Sequence, residues 1–166
     1  YSANDEEFAE LIAEFDKLQL GLVNEVKSGV DYKDLHLLTH TRIADFLAEH
    51  GFAEGSSEAL VNEGVTAAFY PHGLGHLLGI QVHDVGGFLA DEDGNAIDQP
   101  SGHPYLRLTR TLEADMVLTI EPGIYVIDML LDNLEGTPAA GMINRSRIDW
   151  LRPYGGIRIE DNVRVM

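Results

Sequence analysis

The sequence contains no cysteine and few basic residues, and both shortages limit what the protein can do. Without cysteine there can be no disulfide, thiolate metal ligand or cysteine nucleophile, which fits a cytoplasmic protein. Eleven lysines and arginines stand against 28 aspartates and glutamates, a formal net charge of −17. Such an acidic surface repels nucleic-acid backbones and anionic membranes, so we expect neither as a partner. No apolar run reaches the roughly 18 residues of a transmembrane helix.

The most unusual segment is residues 70–88, YPHGLGHLLGIQVHDVGGF, where three histidines lie among glycines. His72, His76 and His83 fall close together, and a composition this rich in glycine does not predict a plain helix. Histidine is the commonest metal ligand and the usual acid–base group near neutral pH. The carboxylate of Asp84, directly after His83, is suited to orienting an imidazole. A single histidine is more often a core or surface residue, but three among glycines indicate a site.

Two later segments place a glutamate inside an apolar run typical of a strand. Glu121 lies in LTIEPGIYV and Glu160 in GGIRIEDNV. Either glutamate alone could be an exposed charge on an edge strand, because burying one is costly unless it is paired or binds a cation. In a continuous strand, Arg158 and Glu160 would point to the same face. Together with one histidine, the two glutamates form a candidate ligand set for a divalent metal.

Apolar periodicity predicts helices early in the chain and strands late. Helices are expected from a cap near Ser2 to Ser28, over 32–49, over 57–68 and over 144–151. Strands are expected over 116–127, interrupted at Pro122-Gly123, and over 157–166, with a loop over 91–110 and irregular structure over 130–141. This order predicts an α+β fold in which a curved antiparallel sheet is backed by helices. We interpret the remaining histidines as surface, helix-terminal or loop residues: His36, His40, His50 and His103.

The segments HGLGHLLGIQVHD, LTIEPGIYV and GGIRIEDNV, in this order, resemble the C-terminal catalytic half of the Xaa-Pro dipeptidases (prolidases). These are pita-bread metallopeptidases, a group that includes the aminopeptidase P enzymes and the bacterial organophosphorus acid anhydrolases. The segment PSGHPYLRLTRTL looks more like the dipeptidase and anhydrolase branch than like methionine aminopeptidases. The resemblance covers residues 1–166, which we expect to be the C-terminal part of the catalytic domain, with the pita-bread fold incomplete in this chain.

The resemblance also implies roles for individual residues. His76, Glu121 and Glu160 match metal ligands of the family, and Glu160 matches the carboxylate that bridges two ions. His72 and His83 match histidines that contact substrate or the developing tetrahedral centre. In a separate match, Arg158 corresponds to an arginine beside the site, where it would orient neighbouring ligands.

The family site has five protein ligands, and the two that are not matched here are aspartates, which we expect upstream of Tyr1. The resemblance implies two divalent ions, most simply Mn²⁺, that share a hydroxide and polarise the scissile carbonyl of a dipeptide ending in proline. It also implies a homodimer in the intact protein, and phosphotriester hydrolysis by the same site. The alternatives are a non-catalytic binding module on the same fold and an inactive fragment.

Overall fold

A computed structural model describes residues 5–91 and 93–166 as a mixed helix-and-strand fold. Its α-helices are α1 (Glu6–Val23), α2 (Tyr32–Glu49), α3 (Ser57–Asn62), α4 (Val65–Phe69), α5 (Asp128–Asp132) and α6 (Arg145–Leu151). Its strands are β1 (Val117–Ile120), β2 (Gly123–Tyr125), β3 (Gly156–Arg158) and β4 (Asp161–Arg164). Short 3₁₀ helices cover Val85–Phe88, Pro138–Gly141 and Arg152–Tyr154. Over these two ranges, every helix is too short or too polar to cross a bilayer.

The early helices follow the sequence pattern, except that α1 ends at Val23 and not at Ser28 as predicted. The bounds of α2 agree with the prediction, and α1 begins where Asp5 Oδ1 accepts a hydrogen bond from the Phe8 N–H at 3.0 Å. The predicted cap at Ser2 lies outside the described residues. The single helix predicted over 57–68 is two helices, α3 and α4, because Gly64 between them has φ 78°, a left-handed conformation that ends a helix.

The strands form two antiparallel pairs, β1 with β4 and β2 with β3. The first predicted strand is interrupted as expected, between β1 and β2. The second, predicted as continuous over 157–166, is wrong: β3 ends at Arg158 and β4 begins at Asp161, and the two have different partners. The excursion over 130–141, predicted to be irregular, contains part of α5 and a 3₁₀ turn, so that prediction is also wrong.

The chain divides into two compact units. The first contains the described residues up to Leu18, together with 40–71 and 123–159. Its core is formed by apolar side chains from its helices, the β2–β3 pair and the connecting segments, among them Phe8, Phe15, Ile43, Leu47, Phe52, Phe69, Ile124, Leu151 and Ile157. This burial is what the apolar stripe of α1 predicts.

The second unit contains residues 19–39, 72–122 and 160–166. The buried side chains of this unit include Leu22, Tyr32, Leu74, Leu106, Leu108, Leu118, Ile120 and Val165. The unit therefore contains residues 72–88, called here the glycine-histidine segment, together with β1, β4 and both glutamates singled out in the sequence.

Two of the histidines that were interpreted as surface residues are buried, so that interpretation is wrong. His36 is 1% exposed, and its Nε2 lies 2.9 Å from Nδ1 of His103, within the second unit. His40 is 2% exposed, and its Nδ1 lies 3.0 Å from Thr66 Oγ1, within the first unit. Each imidazole is tolerated in the interior because it has a polar partner that is distant in sequence. His50, at the end of α2, is helix-terminal as expected.

Candidate metal centre

The candidate centre is assembled around β1, which has backbone neighbours on both sides. On one side, Ile120 pairs with Asp161 at the end of the β1–β4 ladder. On the other, residues 74–78 run antiparallel to β1: the Thr119 N–H donates to the His76 carbonyl at 2.9 Å, and the Glu121 N–H donates to Leu74 O at 2.8 Å. Three adjacent backbone segments therefore carry the three ligand candidates: residues 74–78 carry His76, the end of β1 leads into Glu121, and Glu160 directly precedes β4.

Gly75 explains why the segment beside β1 is rich in glycine. A Cβ at this position would lie 2.1 Å from the Thr119 carbonyl oxygen and 2.6 Å from the Tyr32 hydroxyl, distances that no side chain can occupy. The backbone can approach β1 this closely only because residue 75 has no side chain. That approach places the next residue, His76, at the edge of the strand.

His76, Glu121 and Glu160 form one group, with a ligand atom from each within 4.8 Å of the others. His76 Nε2 lies 3.4 Å from Glu121 Oε1. Ligands about 2.1 Å from one ion are spaced by about 3 to 3.5 Å, so this pair has the spacing of shared coordination. The group goes from buried to exposed: His76 is buried, Glu121 partly buried and Glu160 exposed. An ion held here would therefore be reached from the Glu160 side.

Thr119 connects two of the three candidates. Its Oγ1 accepts a hydrogen bond from the His76 N–H at 3.0 Å and donates to Glu121 Oε1 at 3.1 Å. His76 Nδ1 lies 3.3 Å from the Leu77 carbonyl oxygen, which favours a proton on Nδ1 and leaves the Nε2 lone pair facing Glu121. Outer contacts of this kind orient ligands and fix the tautomer of a metal-binding histidine.

Tyr32 lies behind the strand and adds to the electrostatics of the site. Its hydroxyl donates to the Thr119 carbonyl at 2.9 Å, and its side chain is fully buried. Burial, with a smaller contribution from the negative charge of Glu121, raises the pKa of the Tyr32 hydroxyl well above its usual value. Tyr32 therefore remains a neutral hydrogen-bond donor over the physiological pH range.

The other two histidines of the segment differ in their surroundings. The His83 ring is exposed and stands edge-on to the His76 ring, with centroids 4.4 Å apart. His72 is partly buried, with Nδ1 2.8 Å from the Gly73 carbonyl oxygen.

The Asp84 carboxylate accepts from the Gly86 N–H at 2.8 Å, which lowers the pKa of Asp84 below its usual value. Asp84 therefore stabilises its own loop, and its orienting role toward His83 stays a prediction.

Arg158 belongs to the first unit, whereas the three ligand candidates belong to the second. It is exposed at the end of β3 and lines a pocket of about 620 Å³ with Phe8, Tyr154 and other apolar residues. Its position two residues before Glu160 does not place both side chains on one strand face, because neither strand contains both residues. The expected role of Arg158 stays a prediction.

The sequence analysis did not identify Thr119 or Tyr32 as functional residues, although the position of Thr119 in the strand pattern indicated a possible contact with Glu121. Thr119 stands two residues before Glu121 in an apolar run, and residues at i and i+2 of a strand share a face. A hydroxyl at that position was therefore a candidate partner for the carboxylate. Tyr32 left no comparable signal, because its contact with β1 joins residues far apart in sequence.

The donor set fits a divalent cation of intermediate to hard character. It offers two carboxylates and one imidazole, and the chain has no thiolate to add. Such oxygen-rich ligation with one nitrogen suits Mn²⁺ and similar ions better than it suits a thiolate-type zinc site. Chemically, the group can hold a cation at an exposed edge next to the His83 imidazole.

Comparison with known proteins relates this architecture to a family. Residues 2–166 match the family model described as metallopeptidase family M24. The Xaa-Pro dipeptidase of Shewanella loihica is 54% identical over 158 residues, which cover 95% of this chain and 36% of that protein. The Xaa-Pro dipeptidase of Shewanella frigidimarina is 54% identical over 165 residues, 99% of this chain and 37% of that protein. The chain thus spans little more than a third of the length of these relatives.

Solved structures show the same fold. The structure of Pseudomonas aeruginosa aminopeptidase PepP superposes with a TM-score of 0.61 at 27% identity, covering 95% of this chain and 28% of that one. Proline aminopeptidase P II from Yersinia pestis gives a TM-score of 0.61 at 26% identity, covering 95% and 29%. These likenesses confirm the predicted α+β pita-bread fold, of which the chain covers a part.

Proposed function

Because this chain belongs to metallopeptidase family M24, we propose that the protein containing it hydrolyses Xaa-Pro dipeptides at a centre of two divalent metal ions, most simply Mn²⁺. In this proposal residues 1–166 are the C-terminal part of the catalytic domain. Two aspartates upstream of Tyr1 complete the ligand set, and the intact protein is a homodimer. The relatives named Xaa-Pro dipeptidase, at 54% identity, support the choice of substrate.

The observation that carries the proposal is the grouping of His76, Glu121 and Glu160 within 4.8 Å. The residue pattern marked two glutamates and one histidine as candidate ligands, the resemblance identified the histidine as His76, and the three positions are far apart in the sequence. A binding module that had lost its metals would have no reason to keep all three together. We therefore favour an enzyme over a non-catalytic module.

Each residue of the group has a distinct part in the proposed reaction. His76 and Glu121 would hold one ion, and Glu160 would be the carboxylate shared with a second ion. When bound, the two ions supply Lewis-acid activation of water and of the scissile carbonyl. In this proposal His83 and His72 donate hydrogen bonds to the developing oxyanion or to the substrate carboxylate, and the contact of the exposed His83 ring with His76 supports the role of His83.

The proposal is tested on the complete protein with Glu121→Gln and Glu160→Gln. Each change keeps the shape of the side chain but removes its charge, so the bound metal should fall below two ions per chain. Glu160→Gln should cost more turnover of a Xaa-Pro dipeptide, because a bridging carboxylate serves both ions. The measurements are metal content after dialysis and kcat with added Mn²⁺.

The matched control is Glu10→Gln, which changes an exposed glutamate on α1 and should leave both quantities unaltered. Two ions per chain with both glutamates replaced would remove Glu121 and Glu160 from the site. Metal binding without turnover of any Xaa-Pro dipeptide would favour the binding module. A parallel assay with a phosphotriester tests the second substrate class, since an activated water that attacks a carbonyl can also attack phosphorus.

A further inference from the structure

Gln19 is a polar residue in the apolar stripe of α1. It lies four residues after Phe15 and three before Leu22, both fully buried, so helical spacing places all three on one face. The Gln19 side chain is itself 0% exposed, within the second unit. Because the amide is buried, the free-energy cost of removing it from water depends on how many hydrogen bonds it forms in the interior.

The Gln19 amide contacts the end of the β1–β4 ladder on both strands. Its Nε2 lies 3.2 Å from the Ile120 carbonyl oxygen on β1 and 3.2 Å from Asp161 Oδ2 on β4. Ile120 and Asp161 are the last paired residues of that ladder. One amide nitrogen therefore contacts both strands at the point where β1 ends and β4 begins.

Each of these contacts is one residue away from a ligand candidate. Ile120 precedes Glu121 and Asp161 follows Glu160, so the backbone that sets the direction of each carboxylate is held by the same side chain. We propose that Gln19 is a positioning residue for the metal centre, which keeps Glu121 and Glu160 at the spacing that the ions require. This inference rests on the proposed function.

The energetics favour a role beyond stability. A buried amide in an apolar stripe gives up hydration, and Gln19 Oε1 has no hydrogen-bond partner among the described residues. Leucine at this position would avoid that cost and continue the stripe. What leucine cannot do is restrain two strand ends, and ligands held by such outer contacts bind metal more tightly because less ordering is left for the binding step.

Gln19 also restrains a competing carboxylate. Asp161 is adjacent to Glu160, and its side chain could approach a cation in place of that of Glu160. The bond from Nε2 to Asp161 Oδ2 directs this carboxylate toward α1. In this inference the Gln19 amide positions Glu121 and Glu160, and it also keeps the Asp161 carboxylate from replacing Glu160 as a ligand.

The first test compares Gln19→Leu with Gln99→Leu in the complete protein. Gln99 is the control, because its Nε2 also donates to a backbone carbonyl, that of Leu106 at 3.3 Å, in a loop that contains none of His76, Glu121 and Glu160. Gln19→Leu should weaken Mn²⁺ binding, measured by calorimetry, by about 10- to 100-fold, as for other outer contacts of metal ligands. The thermal midpoint of the metal-free protein should change no more than in Gln99→Leu, whose Mn²⁺ affinity should equal that of the wild type.

The second test approaches the same bond from the exposed partner, so that it does not depend on how Gln19→Leu folds. Asp161→Ala removes the acceptor, whereas Asp161→Asn removes the same charge but keeps an oxygen that accepts from Nε2. Asp161→Asn should bind Mn²⁺ nearly as tightly as the wild type, and Asp161→Ala about tenfold or more weakly.

The outcomes separate this inference from the proposed function. A wild-type protein that binds no divalent metal overturns both. Tight binding by the wild type, with equal affinity in Gln19→Leu or with equal affinities in the two Asp161 variants, overturns the positioning role alone. A loss of affinity in Gln19→Leu that merely follows its unfolded fraction also contradicts the inference, because it would be the effect of a structural residue.

Discussion

At the scale of single residues, the candidate centre depends on a hydroxyl that is not itself a ligand candidate. Thr119 is 1% exposed, and its Oγ1 is shared between the His76 backbone and the Glu121 carboxylate. A buried hydroxyl that both accepts and donates a hydrogen bond restrains the relative position of the two groups that it joins. The separation of His76 Nε2 from Glu121 Oε1 follows from this arrangement as well as from the strand.

We expect Thr119→Val, which keeps the shape of the side chain, to damage the site in two ways. It leaves the buried His76 N–H without its acceptor, which costs about 1 to 3 kcal/mol of the free energy of unfolding. It also releases Glu121, so Mn²⁺ affinity should fall by about 10- to 100-fold. Denaturant unfolding and calorimetry of the complete protein measure the two effects.

Thr39→Val is the matched control for that change. Thr39 is equally buried, and its Oγ1 donates to the Leu35 carbonyl at 2.9 Å within α2. This variant should lose stability without a specific loss of metal affinity. Equal metal affinities in the two valine variants would show that Thr119 has no particular connection to the ligands.

At the scale of elements, the glycine-histidine segment acts as an irregular third strand. Residues 74–78 have β-type hydrogen bonds to β1, yet only a single bridge, Leu77 with Leu118, is regular. The segment gains close contact with β1 from its glycines, and β1 in turn carries Thr119 and leads into Glu121. The position of His76 is therefore a property of how tightly two backbones approach.

Gly75→Ala tests that close approach. The added methyl group would collide with the Thr119 carbonyl and the Tyr32 hydroxyl, so the backbones must separate. We expect a loss of about 1 to 3 kcal/mol in the free energy of unfolding, as for other overpacked interiors, and weaker Mn²⁺ binding. Gly141→Ala is the control, because a Cβ there has no neighbour within 4 Å and should be tolerated. Equal stability of the two alanine variants would contradict the constraint at Gly75.

Local patterns predicted the elements better than they predicted their partners. The apolar stripe of α1, the bounds of α2 and the break after Glu121 all follow from residues close in sequence. The burial of His36 does not, because His103, its partner, is distant in the chain. The division of the predicted 157–166 strand has the same cause, since its two parts pair with different strands.

The same distinction holds for the site. His76, Glu121 and Glu160 stood out because a polar group in an apolar or glycine-rich run is unusual by itself. Gln19 also interrupts an apolar stripe, so a signal was present, but its meaning required knowledge of which strand ends α1 meets. Residue type can mark a candidate ligand, whereas the residues that hold it in place are identified by contacts.

At the scale of the whole molecule, the chain carries three ligand candidates and a large excess of negative charge. It spans 36% and 37% of the two Shewanella relatives, so the proposed pair of aspartates falls to the remaining part of such a protein. Three ligands satisfy one ion poorly and leave a second ion with a single shared carboxylate. The location of the protein in the cytoplasm stays a prediction.

We therefore expect the isolated 166-residue chain to bind Mn²⁺ weakly, at no more than one site, and to hydrolyse no Xaa-Pro dipeptide. Without the two upstream aspartates, the site lacks much of the negative charge that is needed to displace water from the hydration shell of the ion. Calorimetry with Mn²⁺ and an assay on a dipeptide ending in proline measure this. Tight binding of two ions with turnover would show that other residues of this chain, such as Asp5 or Asp31, are ligands.

The register of the β1–β4 pair also has a consequence for biosynthesis. Arg164, the partner of Val117, is translated 47 residues later, so β1 leaves the ribosome well before the strand that pairs with it. At ordinary elongation rates the delay is a few seconds, during which one edge of a largely apolar strand is unpaired and Glu160 does not yet exist. The three ligand candidates can therefore come together only after Glu160 and β4 have been synthesised, so a nascent chain that ends before β4 has no complete group with which to hold an ion.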